Sequence, residues 1–329
     1  MVAEAASHSQ RRLVGGSSGG GRTRRVPRLS DFAAMVAILG GLGAALSWAI
    51  ATVSSTRSSR LIGAPSVIAW VMVFGFLATL GPAALSTSAP IGPNQLLGLF
   101  VVGISYNTGL LLTYAALTIG RISIVAPIVA TEGAVSAVIT VLLGESLNLP
   151  TAIVLAAITV GVVLAAFERS ADEAPRAGTP NPHHTATESR RAARNAVLLA
   201  IGASLSFSIG LVIAGRLGAS LPVTWIVIAP RFVGVVGIAL PLFLLRRLRL
   251  GRTALPLVVV SGVLEAFGSG LYVIAAHDGV AVAAVLGSQF AAFAAIAAFL
   301  FFGERLARVQ LAGVGIIVIG ITALAAVRP

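Results

Sequence analysis

The chain has 329 residues, 57% hydrophobic and 10% charged, with a mean hydropathy of +0.97. Soluble domains carry about 25% charged residues, so a water-soluble globular protein is excluded and an integral membrane protein remains. The net charge of +12 rests on 23 arginines without a lysine, placed in tails, in loops and beside apolar runs; that suits anionic lipid and not a nucleic-acid groove.

In chain order, residues 1–31 come first, a basic tail with Arg11, Arg12, Arg22, Arg24, Arg25 and Arg28 among Gly and Ser. Its composition reads as disordered, with an organellar transit peptide as the alternative. Apolar runs follow near 32–53, 65–86, 95–117, 122–143 and 149–167. The polar segment 168–194, with "ERSADEAPRAGTPNPHHTATESRR", then reads as a linker by its Pro, charge and His content. Further runs lie near 195–215, 223–245, 254–276, 280–302 and 307–327. Each run is long enough to cross about 30 Å of hydrocarbon as a helix. The expected fold class is therefore an all-α integral membrane protein with ten transmembrane helices.

The halves 32–167 and 195–327 resemble each other at an offset of 159 residues. "GAALSWAI" (43–50) lies over "GASLSFSI" (202–209), Gly103 and Gly109 over Gly262 and Gly268, and "LLGESL" (142–147) over "FFGERL" (301–306). Ile158 and Gly161 likewise lie over Ile317 and Gly320. A repeat of five crossings brings the second copy into the membrane from the opposite side, giving two inverted five-helix repeats. Secondary transporters are built this way, with the site near the midplane between the copies.

Two stretches carry a resemblance: "GRISIVAPIVATEGAVSAVITVLLGESL" (120–147) and "GVAVAAVLGSQFAAFAAIAAFLFFGERLARVQLAGVGIIVIG" (279–320). With their Gly-Glu pairs, Gln310 and the glycines of the last helix, they resemble the EamA domain of the drug/metabolite transporter superfamily, present twice. "APRFVGVVGIALPLFLL" (229–245) is similar to the Arg-bearing second helix of such a repeat. The first half departs, with Phe74 in the place of Arg231 and Ser146 where the family usually has Arg. The resemblance implies a ten-helix carrier of small metabolites without a cofactor, commonly an exporter of the bacterial inner membrane. It also implies cytoplasmic termini, whereas Arg57, Arg60, Arg246, Arg247, Arg249, Arg252, Arg305 and Arg308 then fall outside, against the positive-inside rule.

Four carboxylates lie in or at the ends of spans. Glu145 and Glu304 close the fourth and ninth runs, where a carboxylate meets headgroup water or the exposed amides of the next helix start. Glu132 and Glu265 lie about 15 Å deep by helical rise, where an ionisable group faces the bundle interior or a wet cavity. Ser261, Glu265, Ser269 and Tyr272 form one helical stripe, and Glu132, Ser136 and Thr140 another; together they read as two walls of a polar cavity. Neither carboxylate is repeated, since Glu132 lies over Ala291 and Glu265 over Tyr106.

Such residues exchange a proton or meet a ligand, or else form a fixed ion pair with Arg231, which is itself a counter-ion or a site for a substrate anion. Tyr106, Asn107 and Gln289 lie at depths that line the same space. The candidate substrate- or proton-binding residues are Glu132, Glu265, Arg231, Tyr106, Asn107, Gln289 and Tyr272. No cysteine is present, and the histidines at 8, 183, 184 and 277 lack metal-ligand spacing, so neither cofactor nor enzyme chemistry is expected. The expected partners are a small-molecule substrate and membrane lipids. Proton-coupled carriage of a small polar or amphipathic metabolite is the reading; a lipid flippase and a scaffold or sensor without flux are its rivals.

Overall fold

In hydrocarbon a backbone must satisfy its own N–H and C=O groups, and apolar runs of this length do so as helices. The computed structural model describes residues 29–86, 90–119, 122–166, 186–290 and 308–327, with 292, 293 and 296; among these every regular element is helical. The first half holds α1 (Leu29–Ile62), α2 (Ala64–Leu85), α3 (Pro93–Ile119), α4 (Ile122–Val129), α5 (Glu132–Leu142) and α6 (Leu149–Ala166). The second holds α7 (Ala186–Leu217), then α8 (Val223–Gly234), which runs through a π turn at Val235–Ala239 into α9 (Leu240–Leu244). α10 (Leu255–Ala276), α11 (Val280–Gly287) and α12 (Arg308–Val327) follow. Gly63, at φ +85° and followed by Pro65 in the first turn of α2, separates α1 from α2.

Seven helices among the described residues are long and apolar enough to cross a membrane, α4 and α5 counting as one, and α6 and α12 are shorter apolar helices. The run expected over 122–143 is broken at Ala130 and Thr131, and that over 280–302 at Ser288 and Gln289. Most of the latter run beyond Phe293 lies outside the described residues, as do Glu304, tail residues 1–28 and linker residues 167–185. α1 begins at Leu29, inside the expected tail, and α7 begins at Ala186, inside the expected linker. "ATESRRAAR" is rich in Ala and Arg, strong helix formers that extend α7 beyond its apolar part.

Large apolar side chains such as Leu85, Leu142, Leu149 and Ile319 face outward, while the buried interior is rich in small residues, Ala above all, with Val and Ser. Lipid tails give apolar helices no reason to leave them, so association rests on close backbone approach at small residues. The closest approaches repeat across the halves. A β-carbon at Gly109 would strike Phe207, and one at Gly268 would strike Trp48, their counterparts at the 159-residue offset. Gly103 meets Val233 while Gly262 meets Phe74, and Gly161 meets Ile317 while Gly320 meets Ile158. Gly75 meets Arg231 while Gly234 meets Met72. Met72, not Phe74, therefore stands in the place of Arg231.

The partners of α6 on α12 run from 320 down to 313 as the α6 residue runs from 158 up to 165, so these equivalent helices are antiparallel. The equivalent α2 and α8 run antiparallel too, since Met72 meets Gly234 and Gly75 meets Arg231. An approximate twofold axis relates the halves and inverts one against the other. The halves interlock: α1 packs on α10, and α7 packs on α3.

Candidate functional site

Tyr106 and Glu265 are equivalent positions of the two repeats, and they touch: the Tyr106 hydroxyl donates to Glu265 Oε2 at 2.6 Å. Positions exchanged by a twofold meet only beside its axis, so this pair marks the centre of the molecule. Glu265 keeps 18% of its side chain exposed, whereas Arg231, one helix away, is 1% exposed. The guanidinium lies 4.0 Å from Glu265 Oε2. That separation is an ion pair without a direct hydrogen bond.

The Nη donors of Arg231 go elsewhere, while its buried Nε has no partner among the described residues. Nη2 donates to the Glu265 carbonyl at 2.7 Å and to Ser269 Oγ at 2.8 Å, and Nη1 donates to the Val227 carbonyl at 3.3 Å. Its Cζ lies 5.2 Å from the centroid of the Tyr106 ring, a cation–π contact. Gly75 leaves the room that α2 needs to pass beside the Arg231 stem and the Gly262 carbonyl. Arg231 is thus fixed by backbone, hydroxyl and ring, while the Glu265 carboxylate is held by one hydroxyl and partly open.

Glu132 opens α5 immediately after the break between α4 and α5. The break has a local cause. Pro127 removes one donor from α4, and the Thr131 hydroxyl donates to the Ile128 carbonyl at 2.6 Å, competing with the helix ladder. The second half breaks in the same way one residue out of register, with the Ser288 hydroxyl on the Val285 carbonyl at 2.8 Å. The two breaks abut: a β-carbon at Gly133 would sit 2.5 Å from Ser288 Oγ and 2.7 Å from the Ala284 carbonyl.

The Glu132 carbonyl accepts from Ser136 at 2.7 Å and from Ser208 at 2.9 Å, and Thr131 pairs with Ser204 at 3.1 Å. The stripe Glu132–Ser136–Thr140 is buried, and Glu132 and Ser136 bond to Ser208 of α7. The Glu132 carboxylate differs from its carbonyl. At 6% exposure it has no hydrogen bond and no ion pair among the described residues.

The remaining candidates are packed more firmly than their depths suggested. Tyr272 is buried and donates to the Leu211 carbonyl at 2.8 Å, tying α10 to α7. Asn107 bridges the carbonyls of Gly103 and Pro230, each at 2.8 Å. Ser261 donates to the Ala51 carbonyl at 3.1 Å, so of the α10 stripe only Glu265 and Ser269 remain partly exposed. Gln289 donates to the Val285 carbonyl at 2.9 Å, and its buried Oε1 has no partner among the described residues. The structure thus gathers Tyr106, Arg231 and Glu265, and engages the donors of Tyr272 and Asn107 in hydrogen bonds between helices, with Asn107 Oδ1 left without a partner among the described residues.

Reading by depth missed Ser204 and Ser208, which sit a helical turn apart on α7 and form the hydroxyl face against Glu132. It found the amide-binding role of Glu145 but not its target: the carboxylate accepts from Val280 N at 3.2 Å and Ala281 N at 3.3 Å, the start of α11 in the other repeat.

A solved crystal structure, described only as that of a protein, resembles this fold with a TM-score of 0.69 over 89% of this chain and 97% of its own. The identity is 15%, so that likeness speaks of fold alone. No curated protein matches the sequence. The model of the EamA-like transporter family matches twice, over residues 35–167 and 194–326, one copy for each half of the twofold. This chain belongs to the EamA-like transporter family.

Proposed function

We propose that the chain is a proton-coupled secondary carrier working by alternating access, its interlocked repeats moving about the axis through Tyr106 and Glu265. One observation carries this reading. The carboxylate on the axis is partly open and held by a single hydroxyl, while the neighbouring cation is committed to other acceptors. A group so placed gains and loses a proton without dismantling the packing around it. The cargo is a small polar or amphipathic metabolite, carried outward across a bacterial inner membrane, with lipid as the surrounding partner. The excess of arginine beside the apolar runs supports retention against anionic lipid.

The burial of Arg231 favours a second reading, a permanent ion pair with no flux. The two part on one experiment. A thermal-shift screen of metabolites at several pH values selects a ligand, and its flux is then measured in proteoliposomes under an imposed proton gradient. Glu265→Gln is expected to fold and to lose gradient-driven flux. Full flux with an unchanged pH profile in that variant removes Glu265 from the mechanism.

A further inference from the structure

At one face of the molecule two connections from different repeats are fastened together, and both are rich in arginine. α1 ends and α2 begins at this face, and α9 ends there because α8 runs antiparallel to α2. The connection from α9 to α10 rests on the α1–α2 turn. Arg249 N donates to Ser66 Oγ at 3.2 Å, and its carbonyl accepts from Trp70 Nε1 at 2.9 Å. A β-carbon at Gly251 would meet Ile62 at 4.0 Å. Arg57 and Arg60, a helical turn apart on α1, are thereby brought to the same end as Arg246, Arg247, Arg249 and Arg252. All of these are exposed, and their side chains make no hydrogen bond or ion pair among the described residues. Neither 32–66 nor 235–255 contains an acidic residue, so the two segments supply no counter-charge. The short connections of the opposite face, 85–93, 143–149, 217–223 and 276–280, contain no arginine. Arg216 beside them is engaged, donating to the Leu143 carbonyl at 2.9 Å.

The surroundings of the cluster say which anion it fits. Leu61, Leu244, Leu245 and Leu250 stand exposed among the arginines. The cluster therefore lies where apolar helices leave the hydrocarbon, and Trp70 sits at the interfacial depth that an indole favours. Arginine forks match phosphate oxygens, and exposed leucines match acyl chains. A phospholipid presents both, whereas free phosphate presents only the first. The backbone adds a separate sign. Arg246 follows the last residue of α9 at φ +54°, with its amide on the Phe243 carbonyl at 2.9 Å. Glycine ordinarily takes that left-handed position, and here a strained residue keeps a charge at the headgroup level.

We propose that these arginines form a site for anionic phospholipid, whose phosphate bridges the α1–α2 turn of one repeat and the α9–α10 connection of the other. The bound lipid relieves the repulsion among the cations and so strengthens the fastening at Ser66 and Trp70. The site does not depend on flux.

The test follows thermal unfolding of the full chain in nanodiscs. Adding phosphatidylglycerol to phosphatidylcholine is expected to raise the midpoint by about 2–4 °C, and inorganic phosphate in phosphatidylcholine alone is expected to leave it unchanged. Arg57→Gln with Arg60→Gln should remove most of that rise. The combination of Arg246→Gln, Arg247→Gln, Arg249→Gln and Arg252→Gln should do the same. Arg191→Gln with Arg194→Gln, at the start of α7, should keep the rise. In phosphatidylcholine alone the first two variants should be no less stable than the unaltered chain, because only repulsion is lost. No rise with phosphatidylglycerol, an equal rise with phosphate, or a rise that survives in either of the first two variants overturns the proposal. An equal loss in the α7 variant overturns it as well, since the effect is then one of net charge. Should a variant not fold, the contrast between phosphatidylglycerol and phosphate on the unaltered chain decides. A chain that gains this stability yet carries no flux keeps the lipid site and refutes the carrier.

Discussion

Arg231 and Glu265 are neighbours with different freedoms. Arg231 spends its Nη donors on two carbonyls and a hydroxyl inside the packing, and Glu265 contributes one of those carbonyls. Removing the guanidinium strands these acceptors and leaves the Glu265 carboxylate without a cation. Arg231→Met should therefore cost about 3–5 kcal/mol, the range for breaking a buried pair from one side. Arg231→Lys should lose less, because an ammonium reaches one acceptor but cannot reproduce the planar fork. Tyr106→Phe deletes one hydroxyl and should cost about 1 kcal/mol. Denaturation in detergent micelles checks the order Met, Lys, Phe, and a Phe variant less stable than the Met variant would contradict it. Helical depth alone points to the nearness of Arg231 and Glu265. The contact between Tyr106 and Glu265 was also legible, because residues equivalent under an inverted repeat and near its axis must meet. The anchoring of Tyr272 and Asn107 was not, since it depends on which carbonyl of another helix comes within reach.

Among the elements, the broken helices decide most of the site's geometry. Hydropathy marks the two runs but is blind to their breaks, because Ala130 and Ser288 do not interrupt an apolar average. The readable sign was chemical: Pro127 followed by Thr131, and hydroxyl and amide at Ser288 and Gln289, groups that divert hydrogen bonds from the ladder. The close contact of Gly133 with Ser288 and the Ala284 carbonyl fixes how the breaks cross. Gly133→Ala presses on backbone that cannot rotate away, and should cost about 1–3 kcal/mol as overpacking does. Glu145 couples elements of different repeats. No side chain at Gly279, the residue before α11, caps that helix, and the carboxylate from beyond α5 takes the amides instead. Glu145→Ala should cost about 1 kcal/mol, as other lost caps do, with Glu145→Gln retaining part through its amide oxygen. Equal melting temperatures for all three chains would show that water replaces the cap.

The whole molecule is an inverted repeat with unequal fastenings at its two faces. α2 has 22 residues, so at helical rise its ends lie about 33 Å apart, near opposite faces of the membrane. At its start, Ser66 Oγ accepts from Arg249 N at 3.2 Å and Trp70 Nε1 donates to the Arg249 carbonyl at 2.9 Å. At its end the Ser86 and Thr224 hydroxyls meet at 2.7 Å. Both fastenings join one repeat to the other. If the repeats rock about the central axis, loosening one fastening favours opening toward that face, and loosening the other favours the opposite opening. Native cysteine is absent, so Ser269→Cys supplies a single thiol beside Glu265. In vesicles of known orientation, an impermeant maleimide should label that thiol faster from the Arg249 face when Trp70→Phe is added. It should label faster from the Thr224 face when Ser86→Ala is added instead. Faster labelling from the same face in both variants, or from neither, would refute rocking about this axis.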